Sequence, residues 1–188
     1  NVLKKSQGEF FMFQAADDLR SSNFIKENLD YLIKNINYLG SSGIAVLGSN
    51  NKQVRHSFSL NQTPYKNIVN IFKIKWQSHS IIYGLFVKKK IIKFLDLIKS
   101  DNYLAKDWLL DLLIVNSGSF NLNTKTKIKF GEGLSVKKNT IQLQKSKYFF
   151  LYLLEIFFPV AQFFFDFIKF RNQFSLKSKI FIFKELIK

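Results

Sequence analysis

The stretch Gly8 to Asp18, GEFFMFQAADD, constrains this chain more than any other. Phe10, Phe11, Met12 and Phe13 form a short apolar run that stops at two adjacent carboxylates, Asp17 and Asp18. A run of that length, opened by Gly8, reads as a buried strand over 9–14. A strand of an α/β sheet that delivers carboxylates at its carboxyl end sets oxygen ligands over a crevice. Hard divalent cations such as Mg²⁺ and Mn²⁺ prefer such ligands. The plain structural alternative is an acidic turn after a strand.

The segments that follow repeat a strand–helix rhythm, which predicts an α/β fold. Ser21, Ser22 and Asn23 suit a helix start, and Ile25, Leu29, Leu32, Ile33, Ile36 and Leu39 then share one helical face over 24–39. Residues 40–43, GSSG, read as the end of that helix, and 44–47 as a short buried strand. Residues 49–65 read as a loop with an edge strand near 54–60, and 66–76 as a helix. A strand is expected over 79–87 around Gly84, where a glycine marks close approach of another backbone or a ligand. Lys88, Lys89 and Lys90 lead as a solvated end into an amphipathic helix over 91–99. Residues 105–116 form a strongly apolar helix holding Asp107, Trp108 and Asp111, closed by Gly118. In 121–130, Lys125, Lys127 and Lys129 alternate with Thr126, Ile128 and Phe130, the pattern of a half-exposed strand.

Composition changes near Lys147. Residues 148–168 are mostly apolar and approach the roughly 20 residues of a membrane span. Glu155, Asp166 and Pro159 interrupt them, and a carboxylate at the bilayer centre costs about 2.5–3.5 kcal/mol on insertion scales. An interfacial anchor, a buried helix pair broken at Pro159 and a true span are the three readings. A second amphipathic piece follows at 175–188, with Leu176, Ile180, Phe183 and Ile187. The expected division is therefore an α/β domain over 1–145 and a hydrophobic, basic helical tail over 146–188.

The formal net charge is +16, and thirteen basic against four acidic residues lie from Lys125 onward. Only Arg20, Arg55 and Arg171 are arginines, whereas bidentate phosphate and base recognition favours Arg. Nucleic acid is therefore not the expected partner, and a basic, aromatic tail points to a membrane surface. The chain has no Cys and two His, His56 and His79, which excludes thiolate metal sites and disfavours a His-rich zinc site. No GxGxxG, P-loop, GxSxG or HExxH pattern occurs. The chain opens on Asn1 and its one Met is Met12, so it reads as part of a longer polypeptide.

Two sets of acids remain as candidate chemistry. Asp17 and Asp18 suit a divalent cation. Asp107, at the start of an apolar helix, either caps that helix or serves as a general base whose pKa burial raises toward working pH. His79, Tyr83, Gly84 and Trp108 are the residues that could line a cleft near them.

The order of these pieces resembles the family 2 glycosyltransferases of the GT-A fold. The resemblance rests on Gly8-Glu9, the apolar strand and Ala16-Asp17-Asp18, then on HSIIYGLF from His79, then on AKDWLL from Ala105, and it covers roughly residues 1–135. It implies the C-terminal part of a GT-A, Rossmann-like sheet with flanking helices, the segment that holds the donor nucleoside lying upstream, and hence a fragment inactive alone. It further implies that Asp17 and Asp18 hold Mg²⁺ or Mn²⁺ on the diphosphate of a nucleotide-sugar donor. Asp107 would then deprotonate a saccharide or lipid-linked acceptor for inverting transfer, with Trp108, His79, Tyr83 and Gly84 as acceptor-side candidates. The implied setting is the cytoplasmic face of the cell membrane, in surface polysaccharide or glycolipid synthesis. Ala15 stands where the family often carries a further Asp, and Lys106 where it often carries an acid. The alternative is a non-enzymatic, membrane-peripheral protein that binds anionic lipid.

Overall fold

A computed structural model describes residues 2–47, 54–56, 60, 63–73, 80–97, 106–131 and 161–187. His79, the turn at Asp101-Asn102 and the apolar stretch from 148 to 160 lie outside the described residues.

The fold is mixed α/β. In chain order it comprises α1 (Val2–Lys5), β1 (Phe10–Met12), β2 (Leu19–Arg20), α2 (Phe24–Lys34), β3 (Gly40–Leu47), β4 (Val54–His56), α3 (Pro64–Phe72), β5 (Leu85–Val87), α4 (Lys88–Leu97), α5 (Lys106–Asn116), β6 (Phe120–Lys129), α6 (Ala161–Phe170) and α7 (Leu176–Ile187). The six strands form one sheet in the order β1-β5-β3-β6-β2, with β4 pairing on β3. Among the described residues only β3 and β6 pair in parallel; β5 is inserted antiparallel between β1 and β3.

The central strand is where sequence and structure differ most. Residues 40–43 do not end a helix: they open β3. Small residues are required there by packing. A Cβ on Gly40 would lie 2.6 Å from the Phe86 ring and 2.9 Å from the Phe120 ring, and one on Gly43 would lie 2.6 Å from the Thr126 backbone. Thr126 sits in a bulge: the β3–β6 register jumps from Gly43↔Asn123 to Ile44↔Lys127.

Alternate strand residues face opposite layers. On one side Leu39, Phe86 and Phe120 join Ile68, Ile71 and Phe72 of α3, Ile91 of α4 and the buried residues of α5 in a single core. Phe163, Phe167 and Phe170 of α6, Phe174 in the turn after it and Ile182 of α7 belong to the same core. Among the described residues no helix is long and apolar enough to cross a membrane.

On the other side α2 packs on β3 and β6. It is shorter than its spacing predicts and buries a different face: Phe24, Asn28 and Leu32 point inward while Ile25, Ile33 and Ile36 are exposed. The buried polar group fixes the rotation. Asn28 donates to the Phe24 carbonyl (2.7 Å) and to Thr126 Oγ1 (3.3 Å), and accepts from Ser41 Oγ (2.6 Å), which in turn accepts from Asn121 (2.9 Å).

The expected strand over 79–87 also contracts, to Leu85–Val87. Ile81 to Gly84 form a tight turn, closed by the Gly84 N–H donating to the Ile81 carbonyl at 2.9 Å. Gly84 marks a close approach: its Cβ would stand 3.0 Å from the Ile81 and Ser41 carbonyls and from the Phe120 ring. The lysines before α4 belong to that helix. They are not simply solvated: Lys88 donates to the Ser6 carbonyl and Lys90 to the Ile36 and Tyr38 carbonyls. The half-exposed strand is β6, with Thr126 and Ile128 buried and Lys125 and Lys127 exposed.

Candidate active site

Residues 13–18 leave β1 and turn back into β2. The turn is held by its own side chains and by its neighbours. Gln14 donates to the Ala15 carbonyl (2.6 Å) and the Asp18 carbonyl (2.9 Å). Arg20 Nη2 donates to the Phe13 carbonyl at 2.6 Å and to the Tyr83 carbonyl at 3.2 Å, while its guanidinium lies 5.2 Å from the Phe24 ring centroid. One arginine thus ties the exit of β1 to the turn before β5. Ser42 Oγ donates to the Ser80 carbonyl (2.7 Å) and Ser80 Oγ to the Gly43 carbonyl, pinning the start of that same segment to β3.

The end of β6 closes the arrangement from below. The Gly131 N–H donates to Asp18 Oδ1 at 3.1 Å. A Cβ on Gly131 would fall 2.6 Å from the Asp17 carboxyl, so only glycine permits this contact. Phe130 packs edge-on against Tyr83, with ring centroids 5.4 Å apart. Asp17 is exposed and Asp18 is buried.

The second acid comes from α5. Leu109, Leu110, Leu112, Leu113, Ile114 and Val115 are all buried, and a helix apolar on every side is an interior helix. Gly118, at φ +69°, ends it by adopting the left-handed conformation that glycine takes without strain. Asp107 stands at its N-terminal end, and Asp111 lies one turn on along the same face. Trp108 is buried and packs 6.3 Å from Phe72, within the core.

Electrostatics shows how these acids relate. Burial raises the Tyr83 phenol pKa, and Asp18, Asp107, Asp111 and Asp17 each raise it further. Four carboxylates from two separate segments therefore act on one half-buried hydroxyl. Asp107 is raised chiefly by desolvation, opposed by the Trp108 N–H that donates to its Oδ1 at 3.0 Å. Asp107 is nonetheless exposed to solvent. Asp111 is fully buried and raised well above the usual carboxylate range, first by desolvation and then by Asp107, with the Ile82 backbone pulling it down. Burial lowers the Arg20 pKa and Asp18 raises it.

Some buried polar atoms here make no hydrogen bond: Asp18 Oδ2 and Arg20 Nε and Nη1. Such atoms are costly, about 1–3 kcal/mol each. Among the described residues no three His, Cys, Asp or Glu side chains converge as a ready metal cage. A Mg²⁺-type ion is commonly held by one or two carboxylates together with substrate phosphates and water, a demand that Asp17 and Asp18 meet in residue type.

Of the residues singled out from sequence, Asp17, Asp18 and Asp107 all lie within electrostatic reach of Tyr83, with Gly84 beside it in the chain. Arg20 and Gly131 are the members that sequence reading does not single out. The only signals for them are a lone arginine two residues after the acids and a glycine after an alternating strand. A separate groove of about 530 Å³ lies between α2 and the β6 bulge, lined by residues including Tyr31, Asn35 and Asn123. It contains none of these acids. Comparison with family models, with curated proteins and with solved structures gives no match.

Proposed function

We propose that the chain carries the metal-and-base part of a family 2, GT-A-type glycosyltransferase, acting on a nucleotide-sugar donor with inversion. The observation that supports it most is that Asp17, Asp18 and Asp107, about ninety residues apart in sequence, all act on the Tyr83 phenol. Asp17 and Asp18 would hold Mg²⁺ or Mn²⁺. Such an ion neutralises the charge that develops on a leaving diphosphate.

The remaining roles belong to the chain's own groups. Asp107 takes the proton of the acceptor hydroxyl at its carboxyl. Its raised pKa makes it a stronger base than a surface aspartate, and the Trp108 N–H fixes its orientation. Asp111 shares one turn with it; the repulsion between the two carboxylates favours one proton on the pair, and full burial places it on Asp111. Arg20 and Gly131 hold the loop that carries Asp17 and Asp18 against the turn that carries Tyr83. The acceptor is a saccharide or lipid-linked hydroxyl at the inner face of the cell membrane.

The test uses inorganic pyrophosphate as the simplest mimic of the donor's diphosphate, followed by calorimetry with and without Mn²⁺. Mn²⁺ is expected to tighten pyrophosphate binding by at least about tenfold, or 1.4 kcal/mol, and Asp17→Asn to remove that gain. Equal pyrophosphate affinity with and without the cation would end the glycosyltransferase reading.

A further inference from the structure

Helix α7 carries an apolar stripe that stays partly exposed. At 3.6 residues per turn, Leu176, Ile180 and Phe183 fall on one narrow arc, and they are 72%, 51% and 45% exposed. The opposite arc is spent on the core: Ser178 and Ile182 are fully buried, and Phe181 packs against Tyr65 and Phe72. Isolated exposed apolar residues are ordinary. Three in register on the outer face of one helix, with the inner face already committed, form a surface.

The borders of the stripe are basic. Helical spacing sets Lys177 and Lys184 along one side of it and Lys179 along the other. Lys177 and Lys184 are exposed, and the Lys177 ammonium sits 4.4 Å from the Tyr65 ring centroid. Across residues 161–187 the cations are Lys169, Arg171, Lys177, Lys179 and Lys184, against Glu185 and the buried Asp166. An apolar stripe between rows of lysine suits a helix lying in the plane of an anionic bilayer, with apolar side chains among the acyl chains and ammonium groups at the phosphates.

A second copy of the chain suits it poorly. Twelve residues make a helix about 18 Å long, so the stripe offers on the order of 200 Å², well below the roughly 800 Å² per partner of a stable interface. Pairing two such faces would also set lysine rows against each other. We propose that the Leu176–Ile180–Phe183 face of α7 is an interfacial docking surface for anionic lipid. The proposal stands independently of the sugar-transfer reading.

Flotation of the 188-residue chain with vesicles tests it, using phosphatidylcholine alone and phosphatidylcholine with phosphatidylserine. Binding should be at least about tenfold stronger to the anionic vesicles and should fall by about tenfold between roughly 0.1 and 0.5 M salt. Ile180→Glu with Phe183→Glu should abolish it, and Lys177→Gln, Lys179→Gln and Lys184→Gln together should remove the preference for phosphatidylserine, both with unchanged circular-dichroism melts. The substitutions are on exposed positions, so a lost melt in one set leaves the other to decide. Asp17→Asn should bind vesicles as the unaltered chain does, which separates this surface from the acid site. Absence of binding to either vesicle, equal binding to both, or retained binding by the double Glu variant would overturn the proposal. So would a concentration-dependent dimer that the double Glu variant dissolves.

Discussion

Under α2 and at the end of the sheet lie two polar clusters built on opposite terms. Under α2, Asn28, Ser41, Asn121 and Thr126 are neutral, buried, and joined by hydrogen bonds to one another and to backbone. At the sheet end, Asp18, Arg20, Tyr83, Asp107 and Asp111 are ionisable. Several of their pKa values are displaced, and three buried polar atoms make no hydrogen bond. A satisfied neutral network specifies structure. A charged cluster with displaced pKa values and unspent hydrogen-bonding capacity marks a place where chemistry or ligand binding is expected.

Substitutions at the two clusters should therefore separate. The largest effect belongs to the neutral seam. Gly43→Ala forces a methyl against the Thr126 backbone, 2.6 Å away, and should cost about 3 kcal/mol in urea unfolding. Asn28→Ala removes the acceptor of the Ser41 hydroxyl and a donor to Thr126 Oγ1 and should cost about 2 kcal/mol. If Asn28→Ala proved neutral while altering manganese binding, the seam would be part of the site and the contrast would collapse.

The charged cluster should respond with the opposite sign. Asp111 has a folded pKa raised above its unfolded value, so its contribution to stability is fully present below the unfolded pKa of about 3.9. That contribution is lost as pH rises through the folded pKa. Asp111→Asn removes the ionisation and should stabilise the chain at neutral pH by about 1–2 kcal/mol, flattening the pH–stability curve above pH 4. A destabilised variant with an unchanged curve would show that Asp111 is held charged, and the reading of the cluster would need revision.

The sequence announces these two clusters unequally. The acids are legible because an apolar strand ending in Asp17-Asp18 and an apolar helix starting at Asp107 each stand out locally. Their meeting is not, because it depends on β5 being inserted antiparallel between β1 and β3. Helical spacing in α2 points to Ile25, Ile33 and Ile36, yet all three are exposed, because burying Asn28 against Ser41 and Thr126 turns the helix. Residues 40–43 carry the composition of a turn, and only the rings of Phe86 and Phe120 explain why such small residues occupy a central strand. Gly131 becomes meaningful only once the end of β6 lies against Asp17. Local periodicity fixes element type well for α5 and β6; the face an element buries and the partner it meets are tertiary properties.

The central claim is that Asp17, Asp18, Asp107 and Tyr83 bound one cation-binding cleft. Titrating substoichiometric Mn²⁺ into the chain and following its broadening of nuclear magnetic resonance signals tests this directly. The account predicts that the Tyr83 ring and the backbone amides of Asp17, Asp18, Asp107 and Gly131 broaden first, ahead of Asn28 and Asn121, and that Asp17→Asn abolishes the effect. First broadening at the groove around Tyr31 and Asn123, or a pattern unchanged by Asp17→Asn, would contradict it.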